Sequence, residues 1–222
     1  MTEPLKVSEL FYSIQGESTW AGMPCVFVRL AGCNLRCTYC DARYTYEEAG
    51  IPMEVADVLA WAGQYPGVMV EITGGEPLCQ PRVLPLMQAL VDSGRQVLLE
   101  TNGSLPLSAV PDRVGIVMDI KCPDSGMADR NLQENLDRLR ERSQRGCRDE
   151  VKFVLGSESD FHWARQMVDQ ERLAGTLPVL FSPVRSRFDP AALAQLLLDY
   201  RLPVRLQLQL HTLLWPDRTR GV

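Results

Sequence analysis

Residues 25–40 read CVFVRLAGCNLRCTYC. The run Val26–Leu30 predicts a strand, and Cys33, Cys37 and Cys40 follow it in a loop with CxxxCxxC spacing. Such a loop can wrap a small inorganic cluster. Three thiolates satisfy three irons of a cubane and leave one iron open, and soft sulfur donors suit iron–sulfur clusters or zinc. A structural zinc site wants four ligands, usually in paired CxxC spacing. There is no second CxxC, and His162 and His211 are remote in sequence.

Outward from this stretch, β-type runs alternate with helical patterns. Strands are expected at 26–30, 68–73, 96–100, 115–120, 150–155, 178–181 and 204–210. Helices are expected at 53–64, 82–92, 129–142, 160–173 and 190–200. Pro106 and Pro111 leave room for only a short helix between Thr101 and Asp112. The repeated β-then-α order implies right-handed crossovers and a mainly parallel sheet, and the continuous apolar runs GIVMDI and VMVEIT suit strands buried on both faces. Six or so units are too few for a closed eight-stranded barrel. The expected fold is therefore α/β, an open partial β/α barrel forming a single domain over residues 1–222. Ligands of such folds gather at the carboxyl ends of the strands. There stand GCNLRCTYC, TGGEP (73–77), ETNG (100–103) and DIKCP (119–123).

The chain has 222 residues, 45% of them hydrophobic and 23% charged, and a formal net charge of −5. That balance argues against a sequence-independent nucleic-acid surface, which needs a basic excess. No apolar run approaches a membrane span, and MTEPLKVSEL lacks the pattern of a secretory signal, so a cytoplasmic location is expected. An odd count of seven cysteines, three of them within eight residues, does not look like a disulfide framework. Cys79, Cys122 and Cys147 are expected to be free thiols. Trp61 and Trp163 are expected to pack, and Arg138–Arg142 to form a solvated helix face.

The CxxxCxxC spacing resembles the radical S-adenosylmethionine superfamily. That resemblance implies a [4Fe–4S] cluster on Cys33, Cys37 and Cys40 whose free iron chelates S-adenosylmethionine. Tyr39 stands where members carry an aromatic residue beside the adenine, and Gly74-Gly75-Glu76 resembles their GGE segment, which meets the methionyl amine. Asp41, Asp119, Ile120 and Lys121 are further implied contacts of S-adenosylmethionine, although relatives often carry Ser-Pro-Lys where this chain has Asp-Ile-Lys.

The ends of the chain narrow the resemblance. Ile14-Gln15-Gly16-Glu17, Arg29 four residues before Cys33, and QLHTLLWPDRTRGV with His211 and Val222 are together similar to the 7-carboxy-7-deazaguanine synthase family. The similarity implies a carbon–nitrogen lyase of queuosine or 7-deazapurine biosynthesis. Its substrate would be 6-carboxy-5,6,7,8-tetrahydropterin, and a 5′-deoxyadenosyl radical would drive ring contraction with loss of ammonia. Implied substrate contacts are Ile14, Gln15, Gly16, Glu17, Arg29, Thr73, Ser182, His211 and Val222, with Arg29 matching the substrate carboxylate through its planar fork. No protein acid or base is implied. Glu100 stands at a strand end as a possible support of the site.

Mg²⁺ is implied as well, but relatives place Thr or Ser two residues after the last cysteine, and this chain has Ala42. The ion would then rely on water, substrate and Asp41, with a weakened dependence. Partners implied are the pterin, an electron donor such as flavodoxin or ferredoxin, and a second copy in a homodimer, with no nucleic acid or membrane. Two other readings stay open, an activase that installs a glycyl radical on a partner protein and a non-catalytic metal-binding module.

Overall fold

The computed structural model describes residues 3–222. Nine strands form one sheet in the order β3-β1-β2-β4-β5-β6-β7-β8-β9. They are β1 (Leu5–Ile14), β2 (Pro24–Leu30), β3 (Ile51–Met53), β4 (Met69–Gly74), β5 (Val97–Thr101), β6 (Val114–Lys121), β7 (Glu150–Leu155), β8 (Val179–Pro183) and β9 (Arg205–Leu206). All pairs from β2 to β9 are parallel, while β1 runs antiparallel to β2 and β3. The sheet does not close, so the fold is an open partial barrel.

Helices α1 (Tyr44–Glu47), α2 (Val55–Ala62), α3 (Val83–Asp92), α4 (Gln133–Gln144), α5 (Glu158–Gln170), α6 (Pro190–Asp199) and α7 (Leu210–Leu214) lie between or after the strands. Local chemistry sets their starts. Ser157 accepts from the Asp160 N–H at the head of α5, and Asp189 with Pro190 opens α6. None of these helices is long and apolar enough to cross a membrane.

Strand alternation divides the core. Val28, Ile72, Leu99, Ile116 and Phe153 share one buried cluster with Leu86, Leu139, Phe161 and Leu193 of the helices. The opposite face carries a smaller cluster of Phe11, Cys25, Phe27, Met69 and Leu98, with Trp20 against it. Phe11 and Phe27 stack at 4.6 Å between centroids. This plug fills the amino-terminal end of the inner face, and the polar residues of the same strands follow it towards the carboxyl ends.

The structure differs from the sequence expectation at several points. β1 and β3 add an antiparallel edge that the repeating β/α pattern did not include. The 204–210 run is strand only at Arg205–Leu206, and Leu210 already begins α7. Residues 102–113 form turns and no helix. Arg142 is fully buried rather than solvated. Its guanidinium donates to Asp149 through Nε at 2.7 Å and Nη2 at 3.1 Å, and Asp149 also accepts the Ile116 N–H of β6. Trp61 and Trp163 do pack against the helix-side core.

Candidate active site

The cysteine loop leaves β2 through Gly32, whose φ of +88° turns the chain back on itself. The Gly32 N–H reaches the Thr45 carbonyl at 2.6 Å, buried Leu35 anchors the middle, and Thr38 bonds the Ser125 and Asp124 carbonyls. Arg36 Nη1 covers the Cys33 carbonyl at 2.9 Å and lies over the Tyr46 ring. So held, Cys33, Cys37 and Cys40 line a cavity of about 680 Å³ on the inner face of the sheet.

The three thiols suit a multi-iron cluster. All are free and partly buried. Burial pushes the thiols of Cys37 and Cys40 up, with the Lys121 ammonium opposing this at Cys37. Loading metal would therefore release protons. The Leu35 N–H at 3.4 Å and the Asn102 amide at 3.8 Å already point at the Cys33 sulfur. Among the described residues, no three His, Cys, Asp or Glu side chains gather closely enough to hold a single ion. Three thiols on one open cavity wall fit a cubane, which offers its irons at separate vertices. They fit a closed tetrahedral ion poorly. Cys25 and Cys122 are buried elsewhere, Cys147 is half-buried and Cys79 is exposed.

Gly74 and Gly75 bring the end of β4 against this loop. The Gly75 N–H bonds the Leu30 carbonyl at 3.1 Å and the Glu76 N–H bonds the Gly32 carbonyl at 2.9 Å. A Cβ on Gly75 would be driven into the Gly32 carbonyl and the Cys33 Cβ. Tyr39 lies on the cavity wall with its hydroxyl on the Val154 carbonyl at 2.9 Å. Asp119 and Lys121 of β6 also line it, paired at 2.7 Å, and Asp119 Oδ1 is buried with no partner.

Two expected contacts of S-adenosylmethionine fall outside the cavity. Glu76 is fully buried beneath it. Its carboxylate already accepts from the Thr101 hydroxyl, the Asn102 N–H at 2.7 Å and the Leu78 N–H at 3.0 Å. It therefore pins the turn after β4 to β5. Ile120 lies between two cavity-facing residues of a strand, so alternation turns its side chain into the helix-side core. Asp41 and Ala42 do line the wall. The Ala42 carbonyl is taken by both the N–H and the hydroxyl of Thr45, and among the described residues the Asp41 carboxylate beside it has no hydrogen-bonding partner.

On the expected substrate side, the structure brings Ile14, Gln15, Gly16, Glu17, Arg29, Thr73, His211 and Val222 to the same cavity. Ser182 does not reach it, being buried on the inner face with an unpartnered hydroxyl. The two chain ends meet here. The Leu210 N–H bonds the Gly16 carbonyl at 3.1 Å, and a Cβ on Gly16 would stand 3.3 Å from His211 Nδ1.

The Gln15 amide is engaged inside the protein, because Oε1 accepts the Glu17 N–H at 2.9 Å and Nε2 donates to Glu71. These bonds fix the side chain in the loop and leave it one further N–H and one further lone pair on the cavity wall. Arg29 donates through Nε to Glu9 at 2.9 Å, and among the described residues no protein acceptor engages Nη1 or Nη2.

Beneath these residues lies a buried charged layer, of which the sequence reading named Glu17 and Glu100 but missed Lys152 and Glu71. Lys152 Nζ bridges Glu17 Oε2 at 2.7 Å and Glu100, while Thr73 donates to Glu100 at 2.9 Å and Gln209 donates to Glu17 at 2.9 Å. Burial alone would raise the Glu100 carboxyl, but the Lys152 ammonium and the Lys152 and Thr73 hydrogen bonds hold it down to about 2. Glu71 goes the other way, raised well above the usual carboxylate range by burial and by the neighbouring Glu100 and Glu17. The available signal was an ionisable residue in the middle of each apolar strand run, Lys152 in EVKFVL and Glu71 in VMVEIT.

Residues 28–121 match the model of the Radical SAM superfamily. With the open parallel barrel and its three-thiol loop, that match defines a radical S-adenosylmethionine enzyme. The chain is 43% identical over 219 residues to the 7-carboxy-7-deazaguanine synthase of Chlorobaculum tepidum, covering 99% of this chain and 98% of that one. It is 41% identical to the namesake protein of Koribacter versatilis over 98% of this chain and 100% of the other. The chain belongs to the 7-carboxy-7-deazaguanine synthase family. The crystal structure of QueE from Escherichia coli shares the fold at a TM-score of 0.72 and 21% identity, covering 92% of this chain and 93% of that one. Membership carries the [4Fe–4S] cluster and S-adenosylmethionine as cofactors.

Proposed function

We propose that the cavity takes 6-carboxy-5,6,7,8-tetrahydropterin and yields 7-carboxy-7-deazaguanine with loss of ammonia. The observation that carries the substrate assignment is Arg29. Its Nε is fixed on Glu9 while both Nη groups are free on the cavity wall, the arrangement that receives a planar carboxylate in two parallel bonds. When bound at Cys33, Cys37 and Cys40, the cluster with S-adenosylmethionine supplies a one-electron cleavage that generates a carbon radical able to take hydrogen from the substrate.

The chain's own residues position and exclude. Glu17, held by Lys152 and Gln209, presents a carboxylate edge suited to the amino and ring N–H donors of a pterin. Thr73 stands over Glu100 on the same wall. His211, packed against Gly16, and Val222 line the same cavity. Tyr39, Gly74, Gly75, Asp119 and Lys121 line the same cavity and would meet S-adenosylmethionine. The reductant would be a small electron-transfer protein such as flavodoxin or ferredoxin. A homodimer belongs to the same reading.

The test is anaerobic incubation of reconstituted protein with the carboxypterin, reductant and S-adenosylmethionine, followed by mass analysis. A product lighter than the substrate by ammonia is expected. Its absence from protein carrying about four irons per chain would refute the reading.

A further inference from the structure

Glu9 holds its place through an irregularity in β1. Val7 is paired with Leu30 of β2, and the next matched pair is Glu9 with Arg29, so Ser8 is an extra residue in the ladder. A bulge of this kind inverts the facing of everything beyond it. Leu5 and Val7 accordingly lie in the helix-side core, while Phe11 lies in the inner cluster. In an unbroken ladder Ser8 would oppose Arg29, and Glu9 would point towards the helices.

The carboxylate so delivered collects donors from three separate parts of the chain. Oε1 accepts Arg29 Nε at 2.9 Å and the Tyr44 hydroxyl at 2.7 Å, and Oε2 accepts the Gly221 N–H at 3.0 Å. Glu9 and Arg29 are both largely buried, at 15% and 16% exposure. Arg29 has other anions within reach of its field, Asp41 and Glu100. A guanidinium free to turn towards either would no longer offer both Nη groups to the cavity.

We infer that Glu9 is a positioning residue. Placed by the Ser8 bulge, it holds Arg29 by Nε so that both Nη groups face a ligand carboxylate, and it ties that orientation to Tyr44 and to the tail at Gly221. The inference rests on Arg29 being the carboxylate clamp of the proposed function.

Equilibrium dialysis of the cluster-loaded protein with S-adenosylmethionine, without reductant so that nothing turns over, compares 6-carboxytetrahydropterin with tetrahydropterin lacking the carboxylate. The unaltered protein is expected to prefer the carboxylated ligand by about tenfold or more, the scale of a charge-assisted pair. Glu9→Gln should erase most of that preference and weaken binding of the uncarboxylated pterin far less than that of the carboxylated one. Equal weakening of both ligands would mark a merely structural role and overturn the inference. So would a preference retained in full. If the unaltered protein shows no preference, the Arg29 reading itself falls and takes this one with it. Should Glu9→Gln fail to fold, Glu9→Asp keeps the charge but is one methylene too short to serve all three donors. It should lower the preference, and an unchanged preference would overturn the inference.

Discussion

Lys152 Nζ on β7 lies 2.7 Å from Glu17 Oε2 in the loop after β1, joining residues 135 positions apart at the floor of the cavity. The same ammonium also meets Glu100. Replacing Lys152 by Met would leave the Glu17 and Glu100 carboxylates without the ammonium that bridges them. Breaking a buried pair in this way costs about 3–5 kcal/mol. Denaturation at pH 7.5 should show a loss of that order. The deficit should shrink towards pH 5, because unpaired buried carboxyls take up protons readily. Pterin affinity should fall by about tenfold as Glu17 loses its fixed orientation. A variant as stable as the parent at pH 7.5 would contradict the pairing.

Glu71 and Glu100 give the protein opposed pH responses. Glu100 is depressed in the folded state, so its contribution is complete above the ordinary carboxyl range near 4.5 and is lost as pH falls towards about 2. Glu71 is raised, so the folded state holds its proton where the unfolded chain has released it. Its contribution is present below about 4.5 and declines as pH rises towards the folded value. Glu71→Gln keeps an oxygen for the Gln15 amide and removes the proton requirement. The variant should melt at a higher temperature than the parent at pH 8, with the difference narrowing towards pH 5. Parallel melting curves across that range would show that Glu71 is not protonated in the fold.

What the sequence made legible was local. Cys33, Cys37 and Cys40 sit within eight residues, so their spacing pointed to a metal-binding loop and carried the family resemblance, and the apolar runs of β4 and β6 announced a parallel sheet. Partnerships set by the curvature of the sheet were not legible. Nothing near Glu76 in the chain shows that Thr101 and Asn102 consume its carboxylate, and nothing near Arg142 shows that it will be buried on Asp149. β1 was obscured because the Ser8 bulge breaks the strict alternation that marks a half-buried strand.

The contact between the second glycine of the TGGEP turn and the cluster loop can be tested through metal content. Gly75→Ala would press a methyl group onto the Gly32 carbonyl and the Cys33 Cβ, both part of the loop that must shape itself around the cluster. Backbone on one side and a ligand residue on the other leave little room to relax. After anaerobic reconstitution, the variant should hold less than half of the roughly four irons per chain of a full cubane. Cys37→Ala should lose the cluster more completely. Full iron in Gly75→Ala would mean that the loop moves freely with respect to β4.

Ala42 predicts a weak response to Mg²⁺. Mg²⁺ demands oxygen ligands in near-octahedral geometry and fills vacant positions with water. At this spot the Ala42 side chain offers no oxygen and its carbonyl is already taken twice by Thr45. Among the described residues the Asp41 carboxylate has no hydrogen-bonding partner, and it is exposed. A lone exposed carboxylate holds the ion loosely, so millimolar Mg²⁺ should raise turnover by no more than about threefold over a chelator-treated control. Ala42→Thr adds a hydroxyl beside Asp41 without disturbing the backbone bonds to Thr45, and it should make turnover more dependent on Mg²⁺. Parallel Mg²⁺ titrations of the two proteins decide the matter. A strong requirement in the parent, unchanged by Ala42→Thr, would show that the ion is held elsewhere in the cavity.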